Sequence, residues 1–194
     1  MMINAFKWVE YCWVGLGLVW IAGLGFTKPV IRRSPMGPRA FQIALAALGA
    51  VLMTGQSLNK GWMAVPFLPQ SIGGYRMAHV AGVALTLAGC LFACWARLVL
   101  GGNWSGDITV KDSHELIVKG PYALARHPIY TGLLIAVVGT TLVVGKWSAI
   151  VGLAVVVLML ILKMSQEERL MTQQFPAAYP SYRQRVKALI PGLL

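Results

Sequence analysis

Acidic residues are scarce in this chain: six Asp and Glu among 194 residues, against 17 Lys and Arg. Charged residues of both signs reach 12%, about half the ~25% of a soluble domain, so composition excludes an ordinary soluble fold. Cysteines number three, and Cys12, Cys90 and Cys94 all fall inside apolar runs. Cys90 and Cys94 stand one helical turn apart, without a CxxC spacing or a histidine neighbour. They read as packing residues, and neither a redox motif nor a metal site is expected. Histidine is equally sparse, and His114, near Asp112 and Glu115, has its two counterparts, His79 and His127, too far away in the chain to build a metal cluster. A Gly-rich dinucleotide fingerprint is missing too: Gly101-Gly102-Asn103 lacks the strand–turn–helix context.

Apolar sequence is abundant. Hydrophobic residues make up 57% and the net charge is +11. The basic residues sit in short loops between apolar runs, where they hold topology against anionic lipid; nucleic-acid binding is not implied. The first run extends from about Tyr11 to Phe26 and is expected to be a retained helix, since its charged lead-in is weak and no small-residue cleavage pattern follows. A basic, proline-rich turn covers 27–39. Phe41 to Leu58 carries no charge, close to the ~20 residues that span a bilayer. Met77 to Trp95 is a third span. Pro128 to Leu162 is apolar except for Lys146, and Gly145-Lys146-Trp147 reads as a tight turn between two further helices. The expected fold is therefore an all-α integral membrane protein of five transmembrane helices, the last two a hairpin. It forms one membrane domain, with three anchoring spans in 1–99 and a functional loop, hairpin and tail in 100–194.

Charge fixes the expected orientation. The segments 28–39, 97–126 and 163–187 hold 13 Lys and Arg, and Lys7, Lys60, Arg76 and Lys146 are the remainder. The positive-inside rule places the N-terminus outside and the tail in the cytoplasm. Five of the six acids, Asp107, Asp112, Glu115, Glu167 and Glu168, lie in the last two of those basic segments. The third loop, the entrance to the Pro128 helix and the tail should thus meet on one face, where polar groups of both signs gather.

One stretch within that face stands out: Gly120-Pro121-Tyr122, then Arg126-His127-Pro128-Ile129-Tyr130-Thr131-Gly132. Each proline fixes φ and biases its predecessor away from the helix, so a helix is expected to begin near Pro128. After the hairpin come Glu167-Glu168 and Tyr179-Pro180-Ser181-Tyr182-Arg183-Gln184-Arg185. Read alone, His127 could cap the helix, and Tyr122, Tyr130 and Trp104 could be interfacial aromatics. Lys163 and Glu167 could be a simple i,i+4 pair at a solvated helix end.

Taken together, these motifs resemble the isoprenylcysteine carboxyl methyltransferases, within the wider set of small membrane methyltransferases. The match covers about residues 100 to 190; the first 95 residues match only as generic spans. The resemblance implies methyl transfer from S-adenosylmethionine, with S-adenosylhomocysteine as product, to a lipid-borne carboxylate at the cytoplasmic face. The acceptor would be a prenylated cysteine protein or a small lipidic substrate. It implies cofactor contacts from His114, Glu115, Leu116, Ile117, Tyr122, His127, Pro128, Ile129, Tyr130 and Glu167, beneath a cytoplasmic C-terminal helix and loop. Where the family often carries an arginine four residues before that glutamate, this chain has Lys163. Lys163, with Arg126, is the expected carboxylate contact, with the charge kept and the bidentate fork lost. The chemistry suits a sulfonium cofactor: tyrosine rings offer cation–π faces and Glu167 an acceptor for ammonium or hydroxyl groups. Ionisable groups at a span's end are costly unless paired or used. The alternatives are a phospholipid or amine N-methyltransferase of the same superfamily, a nicotinamide-dependent sterol-type reductase, and a non-catalytic lipid-binding membrane protein. Gly15, Gly17, Gly23 and Gly25 permit close packing of the first helix, within a monomer or a dimer.

Overall fold

The computed structural model describes residues 4–27, 30–33, 36–54, 60–68, 72–104, 109–111 and 116–190. Five long helices form a bundle: α1 (Ala5–Leu24), α2 (Met36–Thr54), α3 (Ile72–Leu100), α4 (Pro128–Val144) and α5 (Trp147–Gln174). A short α6 (Ala178–Arg185) follows. Among the described residues two helical stretches, Gly74–Asn103 and Trp147–Gln174, are long and apolar enough to cross a bilayer; Arg39–Met53 and Pro128–Val144 are apolar but shorter. The bundle exterior is apolar, with Val14, Leu18, Met77, Val80, Leu91 and Leu98 each more than half exposed, as suits a lipid surroundings better than water.

The helix pairs α3–α4, α2–α5 and α1–α3 carry the bundle. Close approach rests on glycine, at places other than the four in α1. Gly82 and Gly89 of α3 face Gly139 and Gly132 of α4, each pair two turns apart. A Cβ on Gly132 would stand 2.6 Å from the Gly89 carbonyl oxygen, and one on Gly82 would stand 2.7 Å from that of Gly139. Gly49 and Gly152 bring α2 and α5 together in the same manner. Without a hydrophobic drive between helices in lipid, such backbone contact supplies the dispersion that holds them. In α1 only Gly23 meets a neighbour, the Arg97 guanidinium; Gly15, Gly17 and Gly25 face open space.

The loops gather at two ends. At one, β1 (Val30–Arg33) pairs antiparallel with β2 (Thr109–Lys111). This ribbon departs from the all-α expectation: the basic turn and the third loop, far apart in sequence, lend each other backbone partners. At the other, Phe67 N–H donates to Gly145 O (3.0 Å) and Trp147 N–H to Val65 O (3.2 Å). The hairpin turn is there as expected. Gly145 closes α4 with φ of 65°, a left-handed cap that glycine adopts without strain. Backbone bonds thus tie 30–33 to 109–111 at one end, and the 65–67 segment to the hairpin turn at the other. The apolar part of α5 ends at Leu162, and its helix continues as a polar extension to Gln174.

Candidate active site

The site is built where the Gly120–Thr131 segment meets the α5 extension and the tail. Gly120–Ala123 forms a single tight turn, opened by Gly120 at φ 60°. Pro121 and Tyr122 are buried in it. Tyr182 of α6 locks the turn, its hydroxyl donating to the Tyr122 carbonyl at 2.6 Å. Pro128 opens α4 as expected, in the first-turn position where the absent N–H costs nothing.

His127 sits between the two carboxylates of α5. Its Nδ1 is 3.5 Å from Glu167 Oε2 and its Nε2 3.4 Å from Glu168 Oε1. The imidazole also stacks on Tyr130, 5.5 Å between centroids and 7° from parallel. Burial by itself would lower the histidine pKa, but hydrogen bonds and charge from Glu167 and Glu168 reverse this and raise it. The Tyr130 hydroxyl donates to Glu167 Oε1. Burial opposes ionisation of Glu167, yet His127, Lys163 and Tyr130 hold its pKa below the ordinary range. For Glu168 burial again opposes, and His127 with Arg126 pulls the value down to about 2.

Arg126 ties the site to the tail. Its Nε donates to Glu168 Oε1 at 3.0 Å, and its Nη1 to the Arg183 and Val186 carbonyls. The backbone N–H groups of Arg126 and His127 donate to Lys187 O and Ala188 O, at 2.8 and 2.9 Å. Thr131 Oγ1 adds a bond to Leu189 O at 2.8 Å. Residues 186–189 therefore cross the start of α4 as a strap. Burial, then the Glu168 charge, pushes the Tyr179 hydroxyl up to about 12, so the phenol beneath that strap stays neutral.

A cavity of about 420 Å³ opens beside these groups, within the range of small-molecule sites. Leu116, Ile117, Tyr122, Arg126, His127, Pro128, Ile129, Tyr130, Lys163 and Glu167 all line it. His114 and Glu115 lie outside the described residues. Lys163 Nζ stands 5.8 Å from the Tyr130 ring centroid, a cation–π distance. Glu167 faces the cavity, whereas Glu168 faces Arg126 and the strap. Among the described residues, no group of three or more His, Cys, Asp or Glu side chains is placed to hold a metal ion.

Several lining residues were not expected. α1, read as an anchor, contributes Trp13, Leu16, Gly17 and Trp20, spaced i, i+3, i+4 and i+7 on one face. Trp104 is an inner wall and no lipid-facing belt residue: Trp20 meets it edge-on at 6.3 Å and Arg97 lies 4.4 Å over its ring. Arg97, buried, donates to Gly23 O at 2.8 Å and Gly101 O at 3.0 Å, binding the end of α1 to the loop after α3. Asn103 lines the cavity, and its Oδ1 is a buried acceptor with no hydrogen-bond partner among the described residues. Tyr179 and Tyr182 complete the roof. The signals for the aromatic ones were the tryptophans of α1 and the Tyr179–Arg185 motif of the tail.

Residues 77–178 match the model of the phospholipid methyltransferase family. That is more than half of the chain, and the chain belongs to this family. The likeness to isoprenylcysteine carboxyl methyltransferases is borne out at modest identity. Over 113 residues the chain is 29% identical to "Protein-S-isoprenylcysteine O-methyltransferase B" of Arabidopsis thaliana, covering 57% of each chain. A "Probable protein-S-isoprenylcysteine O-methyltransferase" of Oryza sativa subsp. indica is 29% identical over 120 residues, 60% of this chain and 63% of that one. The "Nickel-cobalt-cadmium resistance protein NccN" of Alcaligenes xylosoxydans xylosoxydans is 26% identical over 159 residues, 79% of this chain and 63% of that one. The matches thus span about three fifths of the length of these relatives.

Proposed function

We propose that this protein is a membrane methyltransferase that uses S-adenosylmethionine to esterify the carboxylate of an S-isoprenylated cysteine or a similar lipidic acid. The observation that carries this reading is one cavity in which Glu167, Tyr122, Tyr130 and Lys163 meet an apolar wall drawn from α1 and α4. An amphipathic acceptor and a cationic, aromatic cofactor need those two surfaces side by side.

The residues present fit the cofactor. Glu167, held ionised and oriented by Tyr130 and His127, suits an ammonium or ribose hydroxyl. Tyr122 and Tyr130 offer π faces to a sulfonium or an adenine, and Asn103 Oδ1, without a donor among the described residues, is a further acceptor. S-adenosylmethionine, when bound, supplies a methyl group on positively charged sulfur. The acceptor carboxylate is already ionised at neutral pH and needs no base. The protein's share is then to align, to exclude water beneath the strap, and to balance charge.

Lys163 takes the role of carboxylate contact in this proposal. Arg126, expected beside it, gives its guanidinium to Glu168 and the tail and is assigned to holding the roof closed. Leu116 and Ile117 would bear on the cofactor from the loop side. His114 and Glu115 keep their proposed cofactor contacts by resemblance alone. We place the α1–α5 bundle across the membrane as five spans, with the N-terminus outside and the site and α6 at the cytoplasmic face.

A second reading is N-methylation of a phospholipid amine, favoured by the family match itself. Methylation assays of the purified protein with N-acetyl-S-farnesylcysteine and, separately, phosphatidylethanolamine test both. Ester formation on the former supports the carboxylate reading; transfer to the latter alone replaces it.

A further inference from the structure

We propose that α1 sets the length of apolar tail the methyl acceptor can carry, with Trp13 as the floor of the cavity and Gly17 as the gap above it. The inference rests on the methyltransferase reading and adds a specificity role for a helix that the sequence marks only as an anchor.

The cavity has depth, and its contacts grade along α4. Its polar groups sit at the start of α4, where His127 precedes Pro128. Leu133 lines it further in, next to the cluster formed by Leu16, Ala93 and Ala136. Trp13 donates its indole N–H to Thr140 Oγ1 at 3.0 Å. Thr140 lies deeper along α4 than Leu133, the last α4 residue of the lining, and from Trp20 to Trp13 the α1 side of the lining runs seven residues, on the order of 10 Å at 1.5 Å per residue. The lining therefore runs from charged groups at one end of the bundle to an indole well inside it.

Both tryptophans of the α1 face are fixed by partners. The Trp13 N–H is satisfied by Thr140, so the ring presents only carbon toward the cavity. It also packs against all three apolar clusters of the bundle, which leaves it little room to swing. Trp20 is held edge-on by Trp104 near the mouth. Between the two indoles stands Gly17, where an added Cβ would meet nothing within 4 Å. A residue with a side chain there would project into the space that the tryptophans frame. The occupant that fits is an unbranched-to-methyl-branched hydrocarbon chain continuous with a carboxylate at Lys163.

The test compares N-acetyl cysteines bearing C10, C15 and C20 isoprenyl thioethers as acceptors of the full-length protein in detergent. G17L should lower the ratio of C20 to C10 turnover at least tenfold, and G17A should lower it less, in protein that still binds S-adenosylhomocysteine. W13A should shift preference toward C20; since Trp13 joins three clusters and its loss can unfold the protein, W13F and the G17A–G17L–G17F series carry the test if it does. Equal loss at all three lengths, or no change in G17L, overturns the inference while leaving the reaction intact. Wild-type protein that binds S-adenosylhomocysteine but methylates none of the three overturns the acceptor class, and the inference with it.

Discussion

Arg126 and Glu168 stand 42 residues apart in the chain, yet the guanidinium Nε donates to the carboxylate at 3.0 Å, the two side chains being 8% and 14% exposed. The pair closes a loop that runs through the whole α4–α5 hairpin, and it fastens the tail strap over His127. Removing one partner strands the other charge away from water, which is costlier than the pair itself is favourable.

That asymmetry gives the first expectation. Glu168→Gln should destabilise the folded protein by roughly 3 kcal/mol, the low end for breaking a buried pair. Arg126→Met should cost a similar amount, and the double variant less than the sum. Thermal unfolding in detergent, monitored by tryptophan fluorescence, reads this directly. An unchanged midpoint in Glu168→Gln would mean the strap is held without the pair.

The same cluster sets a pH dependence. Glu168 falls from an ordinary 4.5 to about 2 on folding, so its contribution is complete above pH 4.5 and is lost as pH falls toward 2; Glu167, also lowered, acts in the same direction. His127 is raised above its ordinary 6.5, so its contribution is complete below pH 6.5 and is lost as pH rises through the folded-state value. Stability should form a plateau between about pH 4.5 and 6.5 and decline on both sides. His127→Gln should remove the alkaline limb and also shrink the acid limb, because His127 helps to lower both Glu167 and Glu168. A profile that rises steadily into alkaline pH contradicts the cluster.

Cofactor and acceptor roles separate by substitution. Glu167→Gln should weaken S-adenosylhomocysteine binding about tenfold, the loss of one charge-assisted hydrogen bond. Lys163→Met should leave that affinity near the wild-type value and lower turnover of a carboxylate acceptor. Titration calorimetry beside a turnover assay distinguishes them, and the reverse pattern would undo both assignments.

The glycine contacts predict a purely structural failure. Gly132→Val would drive a side chain into the Gly89 carbonyl and the Ala93 backbone, so α3 and α4 must part. Overpacking of this kind costs about 1–3 kcal/mol where neighbours can shift, and here the neighbours are backbone. Gly17→Ala, with open space around it, should leave the melting midpoint unchanged. Comparable losses in the two variants would refute the packing described.

Local chemistry made much of this legible in the sequence. Pro128 after His127, and Gly145 before Lys146, fix helix ends by φ alone, and both ends are where the residues place them. The distribution of charge separated loops that the structure also keeps apart, with 30–33 and 109–111 paired at one end and 65–67 and 145–147 joined at the other. Nonlocal pairing was hidden. Nothing in Val30–Arg33 announces Thr109–Lys111 as a partner, and nothing in α1 announces which of its apolar sides turns inward. In a helix apolar all round, periodicity loses its power to select a face, so Trp13, Leu16, Gly17 and Trp20 were read as anchor. Glycines suggested close packing without showing where, and the contacts formed at Gly82, Gly89, Gly132 and Gly139. Glu168 is visible in the sequence as half of an acidic pair in an acid-poor chain, but nothing there marks Arg126, 42 residues away, as its partner.

Titration calorimetry of the detergent-purified protein with S-adenosylmethionine, S-adenosylhomocysteine and NADPH tests the central claim most directly. Saturable heat with both adenosyl-sulfur compounds, none with NADPH, and a weakened isotherm in Glu167→Gln is the predicted result. Absence of binding by either adenosyl-sulfur compound to folded protein would contradict the account and favour a non-catalytic, lipid-binding role.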